Sequence, residues 1–155
     1  MGTGLRGKVS AELKEAMKAK DAKRLGTLRL INAAIKDREI AMRGGDGAGE
    51  VGDAEVLEIL AKMVKQRRES VRAYEEAGRL ELAAGEEAEI AVIEGFLPRQ
   101  LGEAEVDRAI GEAVSETGAA SIRDMGKVMG ALKSRYAGRM DFAAVGPRVR
   151  ERLTA

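Results

Sequence analysis

The sequence contains no cysteine, no histidine and no tryptophan, and each absence removes a class of chemistry. Without cysteine there are no disulfides, no thiolate metal ligands and no thiol nucleophile. Without histidine the chain lacks the commonest metal ligand and the side chain best placed for acid–base work near neutral pH. No metal site and no cofactor is therefore expected. Aromatics make up only 3% of residues, too few to offer the stacking platforms that single-stranded nucleic acid needs. Two prolines and the lack of alternating apolar–polar runs leave little room for a sheet. No uninterrupted stretch of about 18 apolar residues exists for a membrane span. Met1 to Gly7 has none of the apolar core of a secretory signal. A soluble cytoplasmic protein is the expectation.

What is present favours helices. Of 155 residues, 45% are apolar and 34% charged. The core must be aliphatic, built from Leu, Ile, Val, Ala and seven Met, with Glu, Lys and Arg on solvated outer faces. The reading is all-α: an N-terminal bundle of about four helices, one of them long, and a C-terminal three-helix module. After a frayed start, Val9, Leu13, Ala16 and Met17 space a first helix to Lys20. Asp21 caps a second, Arg24 to Met42, whose stripe of Leu25, Leu28, Ile31 or Asn32, and Ile35 is widened by Leu30, Ala33 and Ala34. Gly44 to Gly49 breaks the pattern as a loop, without the Gly-Lys-Ser/Thr ending of a nucleotide-binding loop. Asp53 caps the longest helix, to Ala77, with Gly78 as its stop. Arg67 falls beside its buried stripe and needs a carboxylate partner. A fourth helix follows from Arg79 to Phe96, with Leu80, Ala83, Ile90 and Ile93 inward and Glu86, Glu87 and Glu89 on the surface.

The two modules meet at Phe96-Leu97-Pro98-Arg99-Gln100-Leu101. Pro98 has no backbone donor and restricts Leu97, so it ends the incoming helix. Phe96, Leu97 and Pro98 form the hinge between modules 1–97 and 98–155. Phe96 and Leu97 are expected in one core and Leu101 in the other, with Arg99 and Gln100 exposed. Beyond it, Val106, Ala109, Ile110, Ala113 and Val114 mark an amphipathic helix closed by Gly118. Ser121 and Asp124 read as a capping box opening a helix to Tyr136. A last helix runs from Asp141 to Leu153, with Pro147 implying a kink or a late start.

Charge is uneven although the net is only +1. Residues 117–155 hold eight basic and three acidic side chains, a weak pointer to a polyanion. The candidate nucleic-acid contacts are Arg123, Lys127, Lys133, Arg135, Arg139, Arg148, Arg150 and Arg152. Gly126 and Gly130 lie four apart inside a helix, where each costs roughly 1 kcal/mol relative to Ala. Either a neighbouring helix packs closely there or a sugar–phosphate chain approaches the bare backbone. Close packing is the simpler account.

Several blocks together resemble the YqeY (GatB/YqeY) family. They are Leu28-Arg29-Leu30-Ile31-Asn32-Ala33-Ala34-Ile35-Lys36, Lys65-Gln66-Arg67-Arg68-Glu69-Ser70, Glu87-Ala88-Glu89-Ile90, the Phe96 to Leu101 stretch, and Asp124-Met125-Gly126-Lys127-Val128-Met129. The resemblance covers nearly the whole chain in order. It implies a helical bundle followed by a module similar to the tail of the GatB subunit of glutamine-dependent aspartyl/glutamyl-tRNA amidotransferase, which contacts tRNA. A related domain is appended to some glutaminyl-tRNA synthetases. The family label this implies is carbon–nitrogen ligase activity with glutamine as amido-N-donor. The chain departs from the amidotransferase by lacking its large catalytic core and a Gly/Ser-rich nucleophile region, so no catalytic residue is assigned. The expectation is a non-catalytic tRNA-binding or tRNA-metabolism accessory protein. The alternative is an adaptor docking onto an amidotransferase or aminoacyl-tRNA synthetase.

Overall fold

Local signals set most helix boundaries. The computed structural model describes residues 4–43 and 51–154. The expected glycine-rich loop at Gly44 to Gly49 lies outside them, as do Met1 to Thr3. Within the described residues the chain is all-helical: α1 (Gly4–Ala19), α2 (Ala22–Arg43), α3 (Asp53–Glu76), α4 (Leu80–Glu94), α5 (Glu103–Thr117), a 3-10 turn (Ile122–Asp124), α6 (Met125–Tyr136) and α7 (Phe142–Thr154). The chain divides into two compact units, Met1–Leu97 and Pro98–Ala155.

In the first unit, α1 begins earlier than the sequence suggests. Its first turn is held by a long-range cap, in which the Leu5 backbone N–H donates to Asp53 Oδ1 at 3.1 Å. Arg6 Nη1 also lies 2.7 Å from Glu39 Oε2 on α2, without hydrogen-bond alignment. Asp53 therefore caps α1 and not its own helix. That role falls to Glu55, whose Oε2 accepts from the Gly52 N–H at 3.0 Å. Asp21 does cap α2, accepting from the Arg24 N–H at 3.2 Å. At the far end of α3, Gly78 adopts φ 73°, which a side chain would resist. The Gly78 and Arg79 N–H groups then satisfy the carbonyls of Glu75 and Tyr74 at 3.0 and 2.8 Å.

The core of this unit gathers Val9 and Ala16 of α1, Leu28, Ile31 and Ile35 of α2, Val56, Leu60 and Val71 of α3, and Ile90 and Ile93 of α4, closed by Phe96. Helices α3 and α4 pack most extensively on each other. Arg67 is fixed between them, its Nε donating to Glu89 Oε1 at 3.0 Å and its Nη1 to the Met63 carbonyl at 3.2 Å. The expected internal ion pair is thus present, and Glu89 belongs to it and not to a free surface. Three large side chains expected in the core are outside: Met17 is 51% exposed, Leu30 49% and Leu80 66%. Ala33 is exposed with Leu30, because the buried stripe of α2 is narrow: Thr27, Leu28, Ile31 and Ile35 fill it.

In the second unit, Val106, Ala109, Ile110 and Ala113 of α5 meet Val128 and Leu132 of α6 and Val145 and Val149 of α7. Ser121 Oγ accepts from the Arg123 N–H at 3.3 Å, while Asp124 Oδ2 accepts from the N–H groups of Ala120 and Ser121 at 2.9 and 3.4 Å. These two bonds hold the Asp124 carboxyl below its usual range. The box opens a 3-10 turn that runs directly into α6. Helix α7 starts at Phe142 and carries Pro147 inside it, so no late start occurs.

The Phe96 to Leu101 stretch divides between the cores. Phe96 is buried and Leu97 half-buried in the first, while Leu101 packs on the second. Arg99 and Gln100 are exposed but occupied. Arg99 clamps Glu105 through two hydrogen bonds of 2.9 Å, Gln100 donates to the Gly138 carbonyl, and the Leu101 N–H donates to the Arg139 carbonyl at 2.9 Å.

Candidate nucleic-acid interface

The eight expected cations do not form one patch. Four are held by their own unit. Arg135 at the end of α6 pairs with Glu116 of α5, and Arg148 of α7 pairs with Asp107 of α5. Arg152 donates from Nη1 to the Asp107 carbonyl at 3.3 Å, and Arg139 donates from Nε to the Arg99 carbonyl at 3.0 Å. Acidic α5 thus neutralises Arg148 of α7 and Arg135 in the last turn of α6. Glu116 and Asp107 are the residues that sequence reasoning missed. They lie 19 and 41 positions from their partners, and the only available signal was the acidic excess between residues 98 and 116.

The remaining four differ. Lys127 sits 3.9 Å from Asp124, three residues back in the 3-10 turn that precedes α6, with its side chain 69% exposed. A pair this long and this exposed leaves the ammonium largely available to a partner. The side chains of Arg123, Lys133 and Arg150 make no ion pair or hydrogen bond with a described residue. Three of these four, Arg123, Lys127 and Lys133, belong to the 3-10 turn and α6.

The outer face of α6 is unusual in having little side chain on it. Gly126, Gly130 and Lys133 recur at i, i+4 and i+7, with Lys127 and Ser134 alongside, and all five are exposed. A Cβ built on Gly126 or Gly130 meets nothing within 4 Å. Close helix packing, the simpler expectation for these glycines, is therefore wrong. The apolar face of α6 is carried by Val128 and Leu132, with Met125, Met129 and Tyr136 packed beside them, and the glycines lie opposite on solvent. What results is bare backbone over about 6 Å, from Gly126 to Gly130, within a face about 15 Å long that runs from Arg123 to Lys133 with Lys127 alongside. It offers positive charge to an approaching anion, and no methyl group keeps a bulky backbone away. Among the described residues no cluster of three or more acidic side chains is arranged to hold a metal ion, and no helix is long and apolar enough to cross a membrane.

Comparison with known proteins places this geometry in context. A family model described as Yqey-like protein matches residues 6–153. The chain is 31% identical over 107 residues to "Altered inheritance of mitochondria protein 41, mitochondrial" of Lachancea thermotolerans, covering 68% of this chain and 55% of that protein. It is 29% identical over 150 residues to the protein of the same name from Pyrenophora tritici-repentis, covering 93% of this chain and 78% of that one. With the Saccharomyces cerevisiae protein the figures are 27% over 99 residues, 64% and 51%. The matched stretch thus spans about half the length of the Lachancea and Saccharomyces relatives. Their names point to mitochondria and overturn the cytoplasmic expectation. That expectation rested on a missing secretory segment, whereas mitochondrial addresses are amphipathic and need no apolar core. With the family match running through both helical units, the chain belongs to the YqeY-like family.

Proposed function

We propose that this chain is a tRNA-binding accessory protein of tRNA metabolism, without catalysis of its own, and that the outer face of α6 is its contact surface. The observation that carries the reading is the pair of open glycines, Gly126 and Gly130, set among cations that acidic α5 does not neutralise. A glycine pair exposed in a helix interior costs stability and here serves no packing role. Approach of a sugar–phosphate backbone supplies the missing reason. Structured RNA is gripped through phosphates and shape, which needs no stacking aromatics. The resemblance of the C-terminal module to the amidotransferase tail, which contacts tRNA, supports the same reading. The glutamine-dependent ligase chemistry that the resemblance carries is assigned to the amidotransferase and not to this chain.

The test is a mobility-shift titration of the full chain with bulk tRNA across a salt series. Double reversal Arg123→Glu with Lys133→Glu is expected to weaken binding at least about tenfold and to lower the salt slope by roughly 1.5, as two lost phosphate contacts require. Arg148→Gln, which removes a cation already committed to Asp107, is expected to change affinity less than about threefold. Equal effects from the two variants, or affinity indifferent to salt, would overturn the reading.

A further inference from the structure

The second exposed helix face lies on α2, in the other unit, and its chemistry differs from that of α6. Its solvent side runs through Gly26, Arg29, Leu30, Ala33, Lys36, Asp37, Ile40 and Arg43, all exposed. Positions seven apart line up along it, and one of the three lines is basic throughout. Gly26, Ala33 and Ile40 form a central line, Leu30 and Asp37 flank it on one side, and Arg29, Lys36 and Arg43 flank it on the other. Leu30 and Ile40 are 49% and 63% exposed, and a Cβ on Gly26 meets nothing within 4 Å. None of the three flanking cations, nor Asp37, makes an ion pair or hydrogen bond with a described residue. The strip from Gly26 to Ile40 is about 21 Å long.

We infer that this face is a docking surface for a partner helix whose apolar stripe is edged by carboxylates at seven-residue spacing. Charge complementarity selects the partner: three cations in a row, none paired with a described residue, call for an acidic edge, and Asp37 across the central line calls for a basic one. The basic repeat at Arg29, Lys36 and Arg43 suits a helix, because two packed helices meet in register at that interval. A lipid surface needs no such register. The small residues at Gly26 and Ala33 let the partner backbone come close, and Leu30 and Ile40 supply apolar contacts that an RNA backbone would not use. This inference does not rest on the RNA reading, since it concerns a different helix and a different ligand class.

The test uses the full chain and a synthetic 24-residue helix, about 36 Å long and so able to span the strip, with Leu and Ala on one face and Glu every seventh residue along its edge. Fluorescence anisotropy is expected to show salt-sensitive binding of this peptide. The triple reversal Arg29→Glu, Lys36→Glu, Arg43→Glu should weaken it about tenfold or more, as three exposed pairs imply. A peptide with Lys in place of those Glu residues should bind the reversed chain within about threefold of the original pair. Leu30→Ser should weaken both peptides while circular dichroism stays unchanged. Four outcomes overturn the inference: indifference to peptide charge, stronger binding to vesicles of 30% phosphatidylserine than to the peptide, displacement of the peptide by tRNA, or self-association of the chain that Leu30→Ser abolishes.

Discussion

Helices α2 and α6 each turn a cationic, glycine-containing face to solvent, yet the two faces differ in what lies between the charges. On α6 the space between Lys127 and Lys133 is occupied by glycine and Ser134, and the one large apolar side chain exposed nearby, Ile122, belongs to the 3-10 turn before the helix. On α2 the space beside Arg29, Lys36 and Arg43 holds Leu30 and Ile40, both well exposed. Net charge does not separate the two surfaces. Apolar content along the helix does, and on the proposed readings it suits one to a phosphate backbone and the other to a partner helix.

The largest test of that contrast goes beneath the faces. Leu132 under α6 and Leu28 under α2 are fully buried, and truncating either to Ala is expected to cost about 2–5 kcal/mol. Hydrogen exchange should show the loss of protection confined to residues 98–154 for Leu132→Ala and to 4–97 for Leu28→Ala. Protection lost across both units from one substitution would mean that the two surfaces cannot be treated separately.

Charge reversal comes next in size. The α2 triple reversal should leave tRNA affinity within about threefold, while the α6 double reversal lowers it about tenfold, a difference of about 1 kcal/mol. Both would be read by mobility shift at the same ionic strength.

Glycine replacement is smaller and runs in two directions. Gly130→Ala has open space for its methyl group and should raise stability by about 0.5–1 kcal/mol, measured from the denaturant midpoint. The same change should lower tRNA affinity. Gly26→Ala should stabilise α2 similarly without touching tRNA binding. A Gly130→Ala chain that is more stable and binds tRNA undiminished would show that the bare backbone is unused.

The smallest effect concerns acid. Arg99 holds the Glu105 carboxyl down to about 2, helped by the Gly102 N–H. Because the folded value lies below the unfolded one, this contribution is present above about pH 4.5 and is lost as pH falls toward 2. The group is solvent-exposed, so the effect is modest. Glu105→Gln should flatten the fall in melting temperature of the C-terminal unit between pH 4.5 and 2, with no counterpart in the N-terminal unit.

Much of the fold was legible in sequence because its signals are local. Asp21, Gly78, Gly118 and the Ser121–Asp124 box each act within a few residues and each marks a boundary close to where the structure has it. Features set by distant partners were not legible. Asp53 caps a helix 48 residues away, so reading it as its own helix cap was the natural error. Leu30 and Ala33 fit an apolar periodicity, but the core beneath α2 accepts only a narrow stripe. In the candidate site, the cations were visible and their neutralisation was not, since Asp107 and Glu116 reach them only after α5 folds back on α6 and α7. The two glycines were visible as an oddity, and only the structure showed that they face solvent.

The central claim is that two faces of like charge take different ligands. A crossed titration tests it most directly: labelled bulk tRNA and the acidic helical peptide, each measured against the α6 double reversal and the α2 triple reversal at one salt concentration. The account predicts that each variant loses about tenfold for one ligand and less than about threefold for the other. Equal losses of both ligands in either variant would contradict it.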